Sequence, residues 1–325
     1  MSKRFGRLGL LALAAVVCLW SPPVSADEKP FSIVLLPDTQ NYAAYFPETF
    51  FAQTAWVKAN REKFNIRHVL HLGDLTEHDS TKEWQVADKA MGTLDGVVSY
   101  TVVPGNHDGS GRRRTKRYNR WFGPQRFKDK KHYGGHFGEG NESNVSFFDA
   151  GVMKFMVIGL EFGPRDEVLA WAGKLCEKHK DRRVIVVTHC YMYYDDTRVG
   201  RGDGSHPRVF LGSRPGNDGE QMWEKFVKHH ENIFLVVSGH IRPRGTGRLT
   251  SVGKHGNKVH QLLANYQSFA KGGNGWLRLM KFVPAENKIL VVTYSPTLNK
   301  FMNDDRHSFA LKWTMTPAAK RASVK

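Results

Sequence analysis

The sequence predicts an α/β fold that carries its chemistry on strand-end loops, and three observations lead there. Short, almost wholly apolar runs such as 31–36, 68–72 and 233–237 have the length and character of buried strands. Stretches with an apolar stripe at helical spacing lie between several of them. Five such runs end in Asp, Asn, Gln or His: 38–40, 73–74, 105–108, 189 and 239–240. The loops at the C-terminal ends of strands are where α/β proteins place binding and catalytic groups.

In chain order, Phe31 to Leu36 is the first strand and ends in Pro37-Asp38-Thr39-Gln40. A helix from about Thr49 puts Phe50, Thr54 and Val57 on one face. His68 to Leu72 is a second strand, followed by Gly73, Asp74 and Glu77. Ser80 with Glu83 forms a capping box for a helix striped by Trp84, Ala87, Met91 and Leu94. The third strand, from Tyr100, runs into Gly105-Asn106-His107-Asp108. Runs 145–149 and 152–160 make a hairpin around Ala150-Gly151. A helix over Val168 to Cys176 and a strand over Val184 to Val187 lead to His189. The segment 191–219 has little periodicity, and a loop of that length is usually functional or mobile. Asp218 with Gln221 caps a helix bearing Met222, Trp223 and Phe226. Ile233 to Val237 ends in Gly239-His240-Ile241-Arg242, and the last third reads as strands at 248–252, 258–264, 276–283, 288–293 and 309–313.

The 325 residues carry a net charge of +17. Residues 1–26 hold Lys3, Arg4 and Arg7, an apolar run from Leu8 to Trp20, and Val24-Ser25-Ala26 as a small-residue cleavage site. That pattern is a signal segment, too short in its apolar part to span a bilayer comfortably, and it predicts a secreted or periplasmic protein of about +14. A lipidation site at Cys18 is disfavoured by the Ala15-Val16-Val17 before it. Cys176 and Cys190 do not make a disulfide scaffold; Cys176 falls on an apolar helix face and Cys190 has no independent support as a nucleophile. The expected organisation is a signal over 1–26, one catalytic domain over 27–315 and a basic tail over 316–325.

Carboxylates, an amide oxygen and imidazoles are ligands for hard and borderline divalent ions. A parallel sheet would bring the loops bearing Asp38, Gln40, Asp74, Asn106, His189 and His240 to one edge. A carboxylate such as Asp74 can bridge two ions that together activate water and neutralise a phosphoryl group.

On these motifs the chain resembles the calcineurin-like metallophosphoesterases. The series D-x-H, G-D-x-x-D/E, G-N-H-D/E, H and G-H-x-H is met in order between Asp38 and Arg242. Pro37 to Tyr42 and Leu263-Ala264-Asn265-Tyr266-Gln267 are similar to secreted bacterial members. The resemblance implies a four-layer αββα sandwich of two mixed sheets. It implies two divalent ions (Mn, Fe or Zn), with Asp38 on the first, Asp74 bridging, and Asn106, His189 and His240 on the second. His107 is implied as the catalytic acid, oriented by Glu77, and a hydroxide between the metals as the nucleophile attacking phosphorus in line.

Two positions depart from that series. Gln40 replaces an imidazole and offers only a weaker amide oxygen; Arg242 replaces a second His, cannot ligate a cation, and suits a substrate phosphate. The expected substrate is a phosphorylated small molecule or polymer, with phosphomonoesters ahead of diesters. A nuclease reading rests on the charge and on the run Arg112 to Arg117 beside Tyr118 and Trp121, with a solvated face as its plain alternative. A non-catalytic anion-binding protein is the reading of another class, motivated by Gln40 and Arg242. Asp195, Asp196, Arg198, Arg201 and His206 are candidates for a substrate lid, Asp108 for loop support, and His71 and His78 for the surroundings of the site.

Overall fold

The computed structural model describes residues 29–242 and 244–315. The expected signal segment 1–26 and the expected tail 316–325 lie outside the described residues. The chain begins with β1 (Phe31–Leu36), α1 (Gln40–Tyr45), α2 (Pro47–Asn60), β2 (Ile66–His71), α3 (Thr81–Gly92) and β3 (Ser99–Val102). There follow α4 (Lys116–Phe122), α5 (Pro124–Phe127), β4 (Tyr133–His136), β5 (Asn144–Ala150), β6 (Met153–Leu160), α6 (Asp166–Lys178) and β7 (Arg183–Thr188). The rest is α7 (Pro207–Leu211), α8 (Gly219–Lys225), β8 (Ile233–Ser238), β9 (Thr246–Val252), β10 (Lys258–Ala264), β11 (Leu277–Val283), β12 (Lys288–Ser295), β13 (Lys300–Met302) and β14 (Ser308–Lys312).

These strands form two seven-stranded mixed sheets. One runs β13-β12-β11-β1-β2-β3 with β14 also on β12; the other runs β4-β5-β6-β7-β8-β10-β9. Within the first, β1, β2 and β3 are parallel; within the second, β6, β7, β8 and β10 are parallel. The expectation that one parallel sheet gathers all five loops is therefore corrected. Three come from β1, β2 and β3 of one sheet and two from β7 and β8 of the other. The sheets pack face to face, so two sheet edges meet at the site.

Strand alternation explains the layering. On β1, Phe31, Ile33 and Leu35 point between the sheets, into one cluster with Val157, Ile185, Val187, Leu235, Val237 and Phe282. Val34 and Leu36 point outward to Phe50, Val57 and Trp84 of α2 and α3. On the far side Val184, Val186 and Val236 pack under Val168 and Leu169 of α6 and Met222 of α8. Strands buried on both faces read as continuous apolar runs, which is why periodicity alone could not assign their faces. Phe31 stacks on Phe282 at 4.6 Å and meets Phe155 of the opposite sheet edge-on at 5.6 Å, tying the layers together.

Both predicted capping boxes form, Ser80 with Glu83 and Asp218 with Gln221. The sequence reading missed α1, α4, α5, β4 and β13, elements of seven residues or fewer. Segment 191–219 holds α7, and several of its charged residues are committed to holding it down. Arg198 bonds Ser251 and Gln261, Asp196 accepts from the Arg248 backbone, and His206 pairs with Asp218. Cys176 and Cys190 are both buried and free. Tyr118 is buried too, its hydroxyl spent on the Val102 and Asn141 carbonyls, so it offers no stacking surface to a nucleic acid. Arg113 turns inward from the basic run to the carbonyls of Phe162, Gly163 and Pro215. Among the described residues no helix is long and apolar enough to cross a membrane.

Candidate metal centre

Tight backbone turns set the site. Asp38, Asp74 and His240 all have positive φ (34°, 52° and 71°), an uncommon conformation that non-glycine residues hold when their surroundings fix it. The glycines of the motifs are spaces for the acids and imidazoles. A Cβ on Gly105 would lie 2.0 Å from Asp74 Oδ1, one on Gly239 would lie 2.2 Å from Asp38 Oδ2, and one on Gly73 would lie 2.6 Å from His189 Nδ1.

Around these turns the loops are stitched together. The Asp38 carboxylate accepts from the His240 backbone N–H at 3.0 and 3.3 Å. Asp74 Oδ1 accepts from the His107 backbone N–H at 3.0 Å, and Asp74 Oδ2 lies 3.1 Å from His189 Nε2. Asp108 is buried and accepts from the backbone of Gly105, Leu75 and Thr76 and from the Thr76 hydroxyl. It supports the loops, as anticipated. His71 accepts from the Gly73 backbone N–H through Nδ1, which leaves Nε2 to donate to Thr39 Oγ1. Burial first, and His189 next, depress it to about 3, so it stays neutral.

Backbone carbonyls fix the imidazole tautomers, because a carbonyl only accepts. His189 donates through Nδ1 to the Leu72 carbonyl (2.8 Å), leaving Nε2. His240 donates through Nε2 to the Ser205 carbonyl (2.8 Å), leaving Nδ1. His107 donates through Nδ1 to the Glu77 carbonyl (2.8 Å), leaving Nε2. Glu77 does adjoin His107, but its carbonyl is the closer partner; its carboxylate stands 3.6 Å away. Phe162 and Phe210 pack edge-on against the His240 ring at 5.3 and 5.2 Å.

The electrostatics set two buried acids against a cluster of imidazoles. Burial raises Asp38 to about 8, with His189 opposing and Asp74 adding to the rise. Burial also pushes Asp74 upward, but His189 and the other imidazoles overcome it and hold Asp74 at about 2. His189 is itself lifted to about 9, Asp74 and Asp38 outweighing its desolvation. Burial and His189 lower His240 to about 3. His189 Nε2 thus stands between two buried acids, 3.1 Å from Asp74 and 4.0 Å from Asp38.

The residues fit a metal. Asp74, His189 and His240 offer ligand atoms within 4.8 Å of one another. Gln40 Oε1 and Asn106 Oδ1 are buried without a hydrogen-bond partner, and His189 Nε2 faces only the Asp74 and Asp38 carboxylates, at 3.1 and 4.0 Å. Two orphaned amide oxygens beside two buried acids are costly unless a cation completes them. Arg242, by contrast, is exposed.

Residues 31–244 match the calcineurin-like phosphoesterase family. The chain belongs to that family. Its layered sandwich is that of the family's metal-dependent hydrolases, which use a dinuclear metal centre, and Asp74, His189 and His240 form a candidate metal-binding group. A Bacillus subtilis (strain 168) protein, the uncharacterized protein YvnB, is 31% identical over a 316-residue alignment covering 92% of this chain and 23% of that protein. The chain thus spans about a quarter of that relative's length. The purple acid phosphatase from yellow lupin seeds shares the fold, with a TM-score of 0.53 and 13% identity, covering 89% of this chain and 55% of that one.

Two participants escaped the sequence reading as site residues. Gln267, beyond the end of β10, bonds Gln40, and Ser205 of the long loop supplies the carbonyl to His240. The stretch Asn265-Tyr266-Gln267 had stood out only by resemblance. A backbone carbonyl leaves no signature in a sequence.

Proposed function

We propose that this chain hydrolyses phosphate esters with two divalent ions held by Asp38, Gln40, Asp74, Asn106, His189 and His240. The observation that carries the reading is the pair of buried, unpartnered oxygens, Gln40 Oε1 and Asn106 Oδ1, gathered with His189 and His240 against Asp38 and Asp74. When bound, the ions would supply Lewis acidity and an activated water. The chain's own part is to hold and donate a proton. His107 is half-buried, and with Nδ1 committed to Glu77 its Nε2 is the free nitrogen. Burial lowers its pKa, but Asp74 and Glu77 more than offset this, and the net shift is upward. The upward shift favours the protonated form that a departing alkoxide needs. Arg242, exposed beside His240, is the cation for the substrate phosphate.

Phosphomonoesters are the first substrates, diesters the second, because a dianion gains most from a chain of about +14 once 1–26 is lost. We read residues 27–315 as one catalytic unit, acting outside the cytoplasm after loss of 1–26. The same charge favours a nuclease as the variant reading. The experiment is metal content by elemental analysis, followed by turnover on aryl phosphate and bis-aryl phosphate. Two ions and metal-dependent hydrolysis are expected. No bound ion after incubation with Mn²⁺ would refute the reading and favour an anion-binding protein.

A further inference from the structure

Both hydrogens of the Gln40 amide are spent. Nε2 donates to Asp74 Oδ2 at 3.1 Å and to Gln267 Oε1 at 2.7 Å, while Oε1 is buried with no partner. Turning the amide over would set its oxygen against the Gln267 oxygen and the Asp74 carboxylate at once, an unfavourable contact on both sides. The Gln267 backbone is itself held: its N–H donates to Asn265 Oδ1 at 3.0 Å and its carbonyl accepts from Asn41 Nδ2 at 3.3 Å. The only Gln40 atom left for a cation is its oxygen.

From this we infer that Gln267 is a positioning residue: it fixes Gln40 with its oxygen free and makes the first metal position an all-oxygen site of Asp38, Asp74 and Gln40, matched to a hard ion such as Mn²⁺ or Mg²⁺. This rests on the proposed function, in which ions occupy the site. The other position keeps imidazole donors from His189 and His240, so the two positions differ in chemistry. Oxygen-only donors suit hard ions, and imidazole strengthens Zn²⁺ binding. Arg242, where an imidazole would complete the motif, adds no donor to the first position.

The test uses the full chain stripped of metal. One equivalent of Zn²⁺ is added, then Mn²⁺ is titrated and followed by loss of the free-ion EPR signal, with competition by further Zn²⁺. Zn²⁺ should compete at least about tenfold less well for the Mn²⁺ position than for the position it fills first. Gln267→Leu should weaken Mn²⁺ binding about 10–100-fold, the range for residues that orient ligands, while the first-bound Zn²⁺ is retained. Gln267→Glu keeps the acceptor and should restore Mn²⁺ binding. Gln40→His should raise Zn²⁺ competition at the Mn²⁺ position about tenfold, and it remains decisive if Gln267→Leu does not fold. Unchanged Mn²⁺ binding in a folded Gln267→Leu, or unchanged competition in Gln40→His, overturns the inference and leaves the phosphoesterase reading standing. Absence of any bound ion in the unaltered chain sinks that reading instead.

Discussion

Gly105→Ala is the sharpest test of how the site is built. The glycine has no need of a left-handed backbone, so the alanine's conformation is permitted and only space is at issue. The new Cβ would lie 2.0 Å from Asp74 Oδ1, 2.4 Å from Asp74 N and 2.6 Å from Asp74 Cγ. Comfortable carbon contacts begin near about 3.5 Å, so the overlap exceeds about 1 Å. Asp74 cannot rotate away, because the clash includes its backbone, its φ is already +52° and its oxygens meet His107 N and His189 Nε2. The loops after β2 and β3 must therefore part. A displacement of about 1 Å at reacting groups costs about 100-fold in turnover, and forced overpacking costs about 1–3 kcal/mol. Turnover on an aryl phosphate, bound Mn²⁺ and calorimetric Tm are the assays. Gly92→Ala in α3 is the control, since the nearest atom to its Cβ is the tip of Arg126 at 3.9 Å; it should be neutral or gain up to about 1 kcal/mol. Normal turnover and metal content in Gly105→Ala would refute the claim that these loops are held in contact by that missing Cβ.

His107→Ala should lower kcat by about 100-fold or more with metal content retained, measured by steady-state kinetics and elemental analysis. Arg242→Ala, at an exposed position, should raise KM without loss of metal; loss of metal would point to a structural role. Acid should destabilise the fold through His68, buried, hydrogen-bonded to Ser99 and Thr101, and held well below its ordinary value by burial and then by His132. Because its folded value is depressed below the unfolded one near 6.5, its contribution is complete above about pH 6.5. It is lost at up to about 1.4 kcal/mol per pH unit below that. Denaturant melts from pH 7 to 4 should show this slope, and His68→Gln should flatten it.

Much of the site was legible because its residues are local words: Gly73-Asp74, Gly105 to Asp108 and Gly239-His240 each combine a tight turn with a donor. The helices announced themselves through capping residues and stripes, as at Ser80 and Glu83. What was not legible depends on distance in the chain. Gln267 meets Gln40 across 227 positions, and Ser205 meets His240 through a backbone atom that any residue possesses. Tyr118 and Arg113 look like surface binders beside a basic run, yet burial and three carbonyls claim them. The sequence by itself determined the fold class, the order of the motifs and the donor types, because strand length, turn chemistry and ligand chemistry are local properties. The tertiary structure alone decided that two sheets share the site, which nitrogen of each histidine is free, and that Gln40 presents oxygen. Those outcomes follow from which carbonyls and acceptors the packed sheets bring within hydrogen-bond reach, and no local pattern encodes that.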